Sequence, residues 1–236
     1  MSHHITFVGA GPGAADLITV RGQKALQNAQ AVLFDALIDD GLLAYCPPDV
    51  ILVDVGKRCS KNTAKPQDEI NTVLSEYGLK YARTVRLKGG DPSIFGRLDE
   101  EIAVAKQAGL TVEIVPGVTA ALAAAAIAQT PLTRRGVTRS VRILTATVGT
   151  AQPHNDWDAA LDPSETMVFY MAGKQLREIG LRLLLAGFSA KTPTLIVRGA
   201  SWSNQDCVRL TLENLPDYVL DNSDAPTILM VGLALN

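Results

Sequence analysis

The chain has 236 residues, of which 47% are hydrophobic, so it can bury one large core or two smaller ones. Its formal net charge of -2 excludes the global basic field that attracts nucleic acids or anionic membranes, so any anionic ligand needs a local cluster of cations. The three cysteines form no CxxC pair, no metal-ligand spacing is present and no apolar run is long enough to span a membrane, which favours a cytoplasmic protein without a metal site.

The first half of the sequence alternates short apolar runs with helical patterns. A helix is expected to begin at about Thr19, with Asp16 or Thr19 as its cap, and a second one after Pro66 with Gly78 at its end. This βαβ repetition predicts a lobe built on a mainly parallel sheet. Its buried strands are expected at ITFV (5–8), AVLF (31–34), ILVDV (51–55), TVRLK (84–88) and VEIV (112–115).

The alternation changes at the Pro-Gly step of VPGVTAA, just before an Ala-rich helix. We place a boundary there, which gives lobes at 1–116 and 117–236. Strands near Cys207 and Thr227 flank a short connection and favour antiparallel pairing, so the second sheet should be mixed. The fold class is therefore two α/β lobes, with the active site expected in the cleft between them. The second lobe is predicted to contain strands SVRILTA, TMVFYM, TLIVRG, CVRLTL and TILMVG, and helices around Lys174 to Leu185 and Leu212 to Leu220.

The first strand ends in a glycine-rich loop, VGAGPGAADLITVRG. Gly9, Gly11 and Ala14 fit a relaxed dinucleotide-binding fingerprint, and Asp35 ends the second strand near the position expected for a ribose-binding acid. A nicotinamide-dependent oxidoreductase is therefore one alternative. In dinucleotide folds, however, the helix begins within the fingerprint, whereas this sequence delays it to about Thr19.

A second glycine loop, VRLKGGDPSIFGR, follows the fourth strand and falls at the same edge of the sheet. Gly89 and Gly90 have no side chains, so a ligand can lie directly on their backbone amides and carbonyls. Asp91 can accept hydrogen bonds from ribose hydroxyls or an ammonium group. The carboxyl edge of an open α/β sheet is the usual place for a ligand.

Across its whole length the sequence resembles the tetrapyrrole methylases. The resemblance is carried in order by VGAGPG, DLITVRG, VLFDALI, VGKR, VRLKGGDPSIFGR, VPGVTAA, QTPLTRR and VFYMA. Within the family, the pattern is most similar to that of the enzymes acting on uroporphyrinogen III. The resemblance implies methyl transfer from S-adenosyl-L-methionine to two ring carbons of that tetrapyrrole, giving precorrin-2 through precorrin-1 for siroheme or cobalamin. It also implies a homodimer.

The resemblance further implies roles for individual residues. The proton acceptor falls on Asp35 and the proton donor on Lys57. The last cofactor contact, Ala200, stands where relatives usually have glycine. The implied cofactor contacts are Pro12, Gly89, Gly90, Asp91, Ile94, Thr119, Ala120, Met171 and Ala200.

Cations in the motif loops are predicted to bind the eight carboxylates of the tetrapyrrole. Arginine is favoured because its planar guanidinium binds a carboxylate through two hydrogen bonds. The predicted substrate ligands are Arg58, Lys88, Arg97, Arg134 and Arg135, within a wider ring that includes Lys57, Arg86 and Arg139.

Three segments depart from the family pattern. FGRGGEE is FGRLDEE here, PLTHR is PLTRR, and VTGH is LTAT. Leu98 and Asp99 thus stand where relatives have two glycines. The departures leave two further alternatives open: a later precorrin methyltransferase of corrin synthesis, and a catalytically silent tetrapyrrole-binding module.

Overall fold

The computed structural model describes residues 3–36, 38–56, 66–147, 157, 161–220 and 225–236. The chain divides into two compact units, Met1–Thr119 and Ala120–Asn236. Among the described residues, no helix is both long enough and apolar enough to cross a bilayer.

The first unit is built on a five-stranded sheet in the order β3-β2-β4-β1-β5. Every neighbouring pair of strands is parallel, which confirms the parallel sheet predicted from the sequence. The strands are β1 (His4–Gly9), β2 (Ala31–Phe34), β3 (Ile51–Asp54), β4 (Arg83–Lys88) and β5 (Thr111–Val115), and the helices are α1 (Val20–Gln27), α2 (Gln67–Lys80) and α3 (Leu98–Gln107).

Alternate residues of these strands enter two separate apolar clusters, because successive side chains of a strand point to opposite faces. One cluster contains Val8, Val32 and Leu87, together with Leu26 of α1. The other contains Ile5, Phe7 and Leu33, with Leu74 of α2 and Ala105 of α3. In the register of the sheet, Arg86 pairs with Phe7 and with Leu33, so its side chain shares the face covered by α2 and α3.

The helix starts follow the sequence more closely than the helix ends. Thr19 is the N-cap of α1, as expected, and its hydroxyl accepts a hydrogen bond from the Gly22 amide at 3.1 Å. The second helix begins after Pro66, but it runs through Gly78 to Lys80. Gly78 instead packs closely against β1, since a Cβ there would lie 2.8 Å from Cδ1 of Ile5, which would have to move.

The second unit is built on a mixed sheet in the order β6-β7-β10-β8-β9. β6 and β7 are parallel, while the other neighbouring strands are antiparallel, as predicted for this half. The strands near Cys207 and Thr227 do not pair with each other, because each is antiparallel to β8. The elements are α4 (Ala120–Ile127), β6 (Val141–Thr145), β7 (Thr166–Tyr170), α5 (Leu176–Leu185), β8 (Pro193–Arg198), β9 (Asp206–Thr211) and β10 (Thr227–Val231).

The helix predicted at Leu212 to Leu220 was wrong. Only a single 3-10 turn forms there, over Leu212–Asn214. Pro216 follows two residues after this turn, and a proline inside a helix removes an amide donor and clashes with the preceding turn. Leu212 and Leu215 are nevertheless buried in the cluster that α5 covers, which accounts for the apolar spacing in the sequence.

Candidate functional site

Three glycine loops of the first unit lie in direct backbone contact. The Gly11 amide donates to the Gly90 carbonyl at 3.2 Å, and the Gly90 amide donates to the Gly11 carbonyl at 2.7 Å. A Cβ on Gly9 would lie 2.5 Å from Cα of Gly117, and a Cβ on Gly117 would overlap the carbonyl oxygen of Gly90. No side chain fits between these segments, so glycine at positions 9 and 117 is a packing requirement.

Gly90, although its backbone contacts Gly11 and Gly117, and its neighbour Gly89 each have one open side. A Cβ placed on either residue would meet no atom of the described residues within 4 Å. Gly90 has a φ of +67°, a left-handed conformation that favours glycine, whereas Gly89 has no such backbone restriction. These two residues therefore form an open backbone shelf, held from behind by Gly11 and Gly117.

Asp91 fixes the shelf with both oxygens of its carboxylate. Oδ2 accepts a hydrogen bond from the Gly117 amide at 2.9 Å, and Oδ1 accepts one from the Ser93 amide at 2.8 Å. Its own carbonyl accepts from the Ile94 amide at 3.2 Å. A carboxylate has about four acceptor directions, so Asp91 retains capacity toward a ligand. Its binding role stays a prediction, while its structural role was missed by the sequence reasoning.

The first loop does not have the geometry of a diphosphate cradle. After Pro12 the chain forms a 3-10 turn at Ala15–Leu17, and α1 begins only at Val20. A dinucleotide fold directs the N-terminal amides of its first helix at the pyrophosphate. Here Thr19 caps that helix with its own side chain. The delay predicted from the sequence is confirmed, and it disfavours the oxidoreductase alternative.

Asp35 lies directly after β2, and its side chain is 30% exposed. Oδ1 accepts a hydrogen bond from Nη2 of Arg86 at 2.7 Å. Oδ2 accepts a long one, 3.4 Å, from the Gly89 amide. The predicted proton acceptor and the predicted cofactor shelf are therefore neighbours in the structure, and a buried cation holds the acceptor in place.

Arg86 and Lys88 are buried, with exposed fractions of 2% and 4%. Both donate to Oε1 of Glu101 on α3, from Arg86 Nη2 at 3.1 Å and from Lys88 Nζ at 2.9 Å. This position argues against the prediction that Lys88 binds a substrate carboxylate, because its ammonium already has an internal carboxylate partner. The same argument applies to Arg86.

The sequence reasoning missed Glu101, although a signal was present. TVRLK places a cation at every second position of a buried strand, so both cations must enter the same face of the sheet. Buried charges are paired, which predicts an acid on the helix that covers this face. Burial, followed by the charge of Arg86, lowers the pKa of Lys88. Burial would also lower the pKa of Arg86, but the charges of Asp35 and Glu101 outweigh it and raise that pKa.

The other predicted substrate ligands have different surroundings. Arg97 is exposed and forms two hydrogen bonds of 2.7 Å with Glu100, which lies in the first turn of α3. Arg134 and Arg135 lie at an exposed turn of the second unit, where the Arg134 amide donates to the Thr138 carbonyl at 3.0 Å. Lys57 and Arg58 lie outside the described residues, so the predicted proton donor keeps its status as an expectation. Leu98 packs against the apolar cluster beneath α3.

Of the remaining predicted cofactor contacts, Thr119 and Ala120 flank the boundary along the chain, and Met171 and Ala200 belong to the second unit. Thr119 ends the first unit, and Ala120 begins α4. Ala120 and Ala200 both contact the apolar cluster between α4 and the second sheet. Met171 follows β7 with a φ of 55° and is 49% exposed, so its side chain is not a core residue.

Two other features of the described residues bear on the site. No cluster of histidine, cysteine and acidic side chains could hold a metal ion among them, and the sequence predicts none. A groove of about 390 Å³ lies at the amino ends of the strands, lined by Gln30, Ile51 and Arg83 among others. It contains none of the predicted site residues, and ligands of open α/β sheets bind at the opposite, carboxyl edge.

Comparison with known sequences places the chain in a family. A profile described as Tetrapyrrole (Corrin/Porphyrin) Methylases matches residues 4–216. The chain is 42% identical over 235 residues to a uroporphyrinogen-III C-methyltransferase of Synechocystis sp., covering 98% of this chain and 89% of that protein. It is 40% identical over 229 residues to a siroheme synthase of Pseudomonas aeruginosa, covering 97% of this chain but 49% of that protein. The chain thus spans about half the length of the siroheme synthase.

Solved structures agree with the sequence comparison. The fold is similar to a crystal structure of the uroporphyrin-III C-methyltransferase of Thermus thermophilus complexed with S-adenosylhomocysteine, with a TM-score of 0.84, 32% identity and 98% of both chains covered. A cobalt precorrin-4 methyltransferase gives a TM-score of 0.84 at 29% identity, covering 99% of this chain and 96% of that one. The resemblance inferred from the motifs is confirmed, and the chain belongs to the tetrapyrrole (corrin/porphyrin) methylases.

Proposed function

We propose that this chain transfers methyl groups from S-adenosyl-L-methionine to two ring carbons of uroporphyrinogen III, giving precorrin-2 through precorrin-1. The observation that carries the proposal is the open shelf of Gly89 and Gly90, with Asp35 within hydrogen-bond reach of the Gly89 amide. The relatives from Synechocystis and Thermus, named for this reaction, support it.

The residues of the shelf fit the methyl donor by shape, and the neighbouring Asp91 carboxylate keeps acceptor directions for a ligand. The space beside Gly89 and Gly90 is the space that a Cβ would occupy, so a nucleoside can approach the backbone there. When bound, the donor supplies an electrophilic methyl group on a sulfonium. The contribution of this chain would be placement, since its residues would hold the acceptor carbon beside that methyl group.

The proton lost from the macrocycle needs an acceptor beside the shelf, and we assign that role to Asp35. Its Oδ1 is held by Arg86 at 2.7 Å, which leaves Oδ2 as the oxygen nearer the shelf. A positioned general base contributes about 10²–10⁴ in rate. Lys57 is retained as the proposed proton donor. Arg58, Arg97, Arg134 and Arg135 are proposed to bind the carboxylates of the tetrapyrrole, whereas Lys88 is assigned to the buried cluster.

A later precorrin methyltransferase is the second candidate. The similarity to a cobalt precorrin-4 methyltransferase, at a TM-score of 0.84, favours it. The higher identity to the Synechocystis enzyme, 42% over 235 residues, favours uroporphyrinogen III. The two candidates share the donor and differ only in the tetrapyrrole.

Product mass separates the candidates. Purified protein is incubated anaerobically with S-adenosyl-L-methionine and either uroporphyrinogen III or a later precorrin, and the tetrapyrroles are then analysed by mass spectrometry. We expect a product with two added methyl groups from uroporphyrinogen III. Methylation of the later precorrin alone supports the second candidate, and no methylation of either tetrapyrrole refutes both. If the protein binds a tetrapyrrole but does not methylate it, the result supports the third alternative, a catalytically silent tetrapyrrole-binding module.

Assembly and location are proposed from the family resemblance and from the cysteine pattern. We propose a homodimer in a reducing, cytoplasmic compartment. Light scattering of the purified protein at several concentrations tests the first statement, and a monomeric mass throughout contradicts it. Cell fractionation tests the second.

A further inference from the structure

The strongest feature outside the predicted site is the carboxylate of Glu101. Its side chain is 1% exposed, yet among the described residues only one of its oxygens has hydrogen-bond partners. Oε1 accepts from Arg86 Nε at 3.3 Å, from Arg86 Nη2 at 3.1 Å and from Lys88 Nζ at 2.9 Å. Oε2 is buried and has no hydrogen-bond partner in the part of the chain that the structure describes.

The difference between the two oxygens of Glu101 indicates what its negative charge does in the cluster. A buried carboxylate is costly unless it is paired, and spreading three donors over both oxygens would satisfy it better. All three N–H donors instead point to Oε1. The positions of Arg86 and Lys88 therefore determine which oxygen of Glu101 is hydrogen-bonded. With Asp35 included, the cluster contains two cations and two carboxylates, so its formal charge is zero.

The connection to Asp35 runs through a single nitrogen. Nη2 of Arg86 donates both to Glu101 Oε1, at 3.1 Å, and to Asp35 Oδ1, at 2.7 Å. Nε of the same guanidinium also donates to Glu101, and Nη1 donates to the Leu87 carbonyl at 3.1 Å. The guanidinium is planar, so contacts at three of its nitrogens fix its orientation. The position of the nitrogen that holds Asp35 therefore depends on Glu101.

We propose that Glu101 is a positioning residue for proton transfer. It anchors Arg86 from behind, so that Arg86 holds Asp35 in one orientation beside the Gly89 amide, and its negative charge keeps the cluster neutral. The role rests on the proposed function, in which Asp35 accepts the proton. Glu101 itself is buried beneath Arg86 and is not assigned any contact with substrate.

The proposal predicts a change in pH dependence. The charged groups that face Glu101 among the described residues are Arg86 and Lys88 from β4 and, across Arg86, Asp35 from the end of β2. Neutral glutamine at position 101 leaves two cations facing one carboxylate. The excess positive charge disfavours proton uptake within the cluster, so the acidic limb of the rate profile should move to lower pH.

The test is Glu101→Gln in the full-length protein, with Glu76→Gln on the exposed face of α2 as the matched control. We expect kcat to fall about tenfold and the acidic limb of kcat/KM to move down by about one pH unit. The Kd for S-adenosylhomocysteine, measured by calorimetry, should change less than about twofold, because a contact that acts on proton transfer does not alter donor binding. Glu76→Gln should keep the kcat, limb and Kd of the unaltered protein.

If Glu101 only stabilises the fold, Glu101→Gln lowers the Tm but does not move the acidic limb of the kcat/KM profile. That outcome overturns the proposal. Unchanged kcat overturns it as well. If Glu101→Gln does not fold, the double variant Glu101→Gln with Lys88→Met removes one cation along with one anion. The restored charge balance should return the limb to within about 0.3 units of the unaltered protein, and a limb displaced in the double variant refutes the electrostatic role. If the unaltered protein forms no product, the proposed function itself is refuted. That result is distinguishable from a failure of the Glu101 proposal, which is judged from the variants of an active protein.

Discussion

Replacement of Gly89 by alanine should separate ligand binding from folding. In the free protein a Cβ at this position meets nothing within 4 Å in the part of the chain that the structure describes, and Gly89 is not among the glycines with positive φ. The substitution therefore introduces neither a clash nor backbone strain. If the methyl donor lies on the shelf, however, the new methyl group occupies space that the bound nucleoside needs.

The two effects have different magnitudes. Stability should stay the same or rise by about 0.4–1 kcal/mol, since alanine restricts the unfolded chain more than glycine does. Binding should weaken by about 1–3 kcal/mol, the usual cost of overpacking a fitted contact. At 1.4 kcal/mol for each factor of ten, this is about a 5- to 150-fold increase in the Kd for S-adenosylhomocysteine. Calorimetry gives the Kd, and thermal denaturation without ligand gives the stability.

Gly187→Ala is a control with the opposite expected result, a loss of stability without a loss of ligand binding. Gly187 follows the C-cap of α5 with a φ of +91°, and its Cβ would also meet nothing within 4 Å. Alanine in this conformation should cost about 1–2 kcal/mol of stability while donor binding is retained. This corresponds to a drop in Tm of about 2–8 °C. A Gly89→Ala protein that binds S-adenosylhomocysteine as tightly as the unaltered chain would refute the assignment of the shelf.

The remaining predictions concern the glycine contact behind the shelf, the buried charge cluster and the cap of α1. Gly117→Ala should lower the Tm of the free protein by several degrees, because its Cβ overlaps the Gly90 carbonyl; an unchanged Tm would contradict the interlock. Lys88→Met should destabilise the fold by about 3 kcal/mol, because Glu101 loses a buried partner. Burial lowers the pKa of Lys88 in the folded state, so the unfolded state binds that proton more tightly. The folded state is therefore favoured as the pH rises toward about 10.4, the ordinary pKa of lysine. Denaturant titrations should show the unaltered protein gaining stability relative to Lys88→Met over that range. Thr19→Ala should cost about 1 kcal/mol in the same titration, and no loss would contradict the cap.

Much of the fold could be predicted because its determinants are local. The strands of both sheets are short β-branched or aliphatic runs, and their order along the chain indicated one parallel and one mixed sheet. The late start of α1 also followed from local residues, since a hydroxyl at Thr19 can cap a helix that Pro12 and its neighbours cannot begin. The position of Asp35 beside the second glycine loop followed from the rule that parallel strands end at one edge.

The parts that could not be predicted depend on contacts between distant segments. The sequence does not show that Gly9, Gly90 and Gly117 touch, since that follows from the register of three strands and their loops. The role of Asp91 depends on the same contact. Lys88 was predicted to bind a substrate carboxylate, whereas the acid that pairs with it, Glu101, lies on the helix after the loop. The alternation in TVRLK places both cations on one face of a buried strand, but it does not tell which acid of the following helix pairs with them.

The most direct test of the account is a crystal structure of this chain with S-adenosylhomocysteine. The account predicts that the ligand lies against the backbone of Gly89 and Gly90, with its sulfur on the side of Asp35, and that the contacts among Gly9, Gly90 and Gly117 are unchanged. A ligand bound away from these glycines, for example in the groove lined by Gln30 and Arg83, would contradict it.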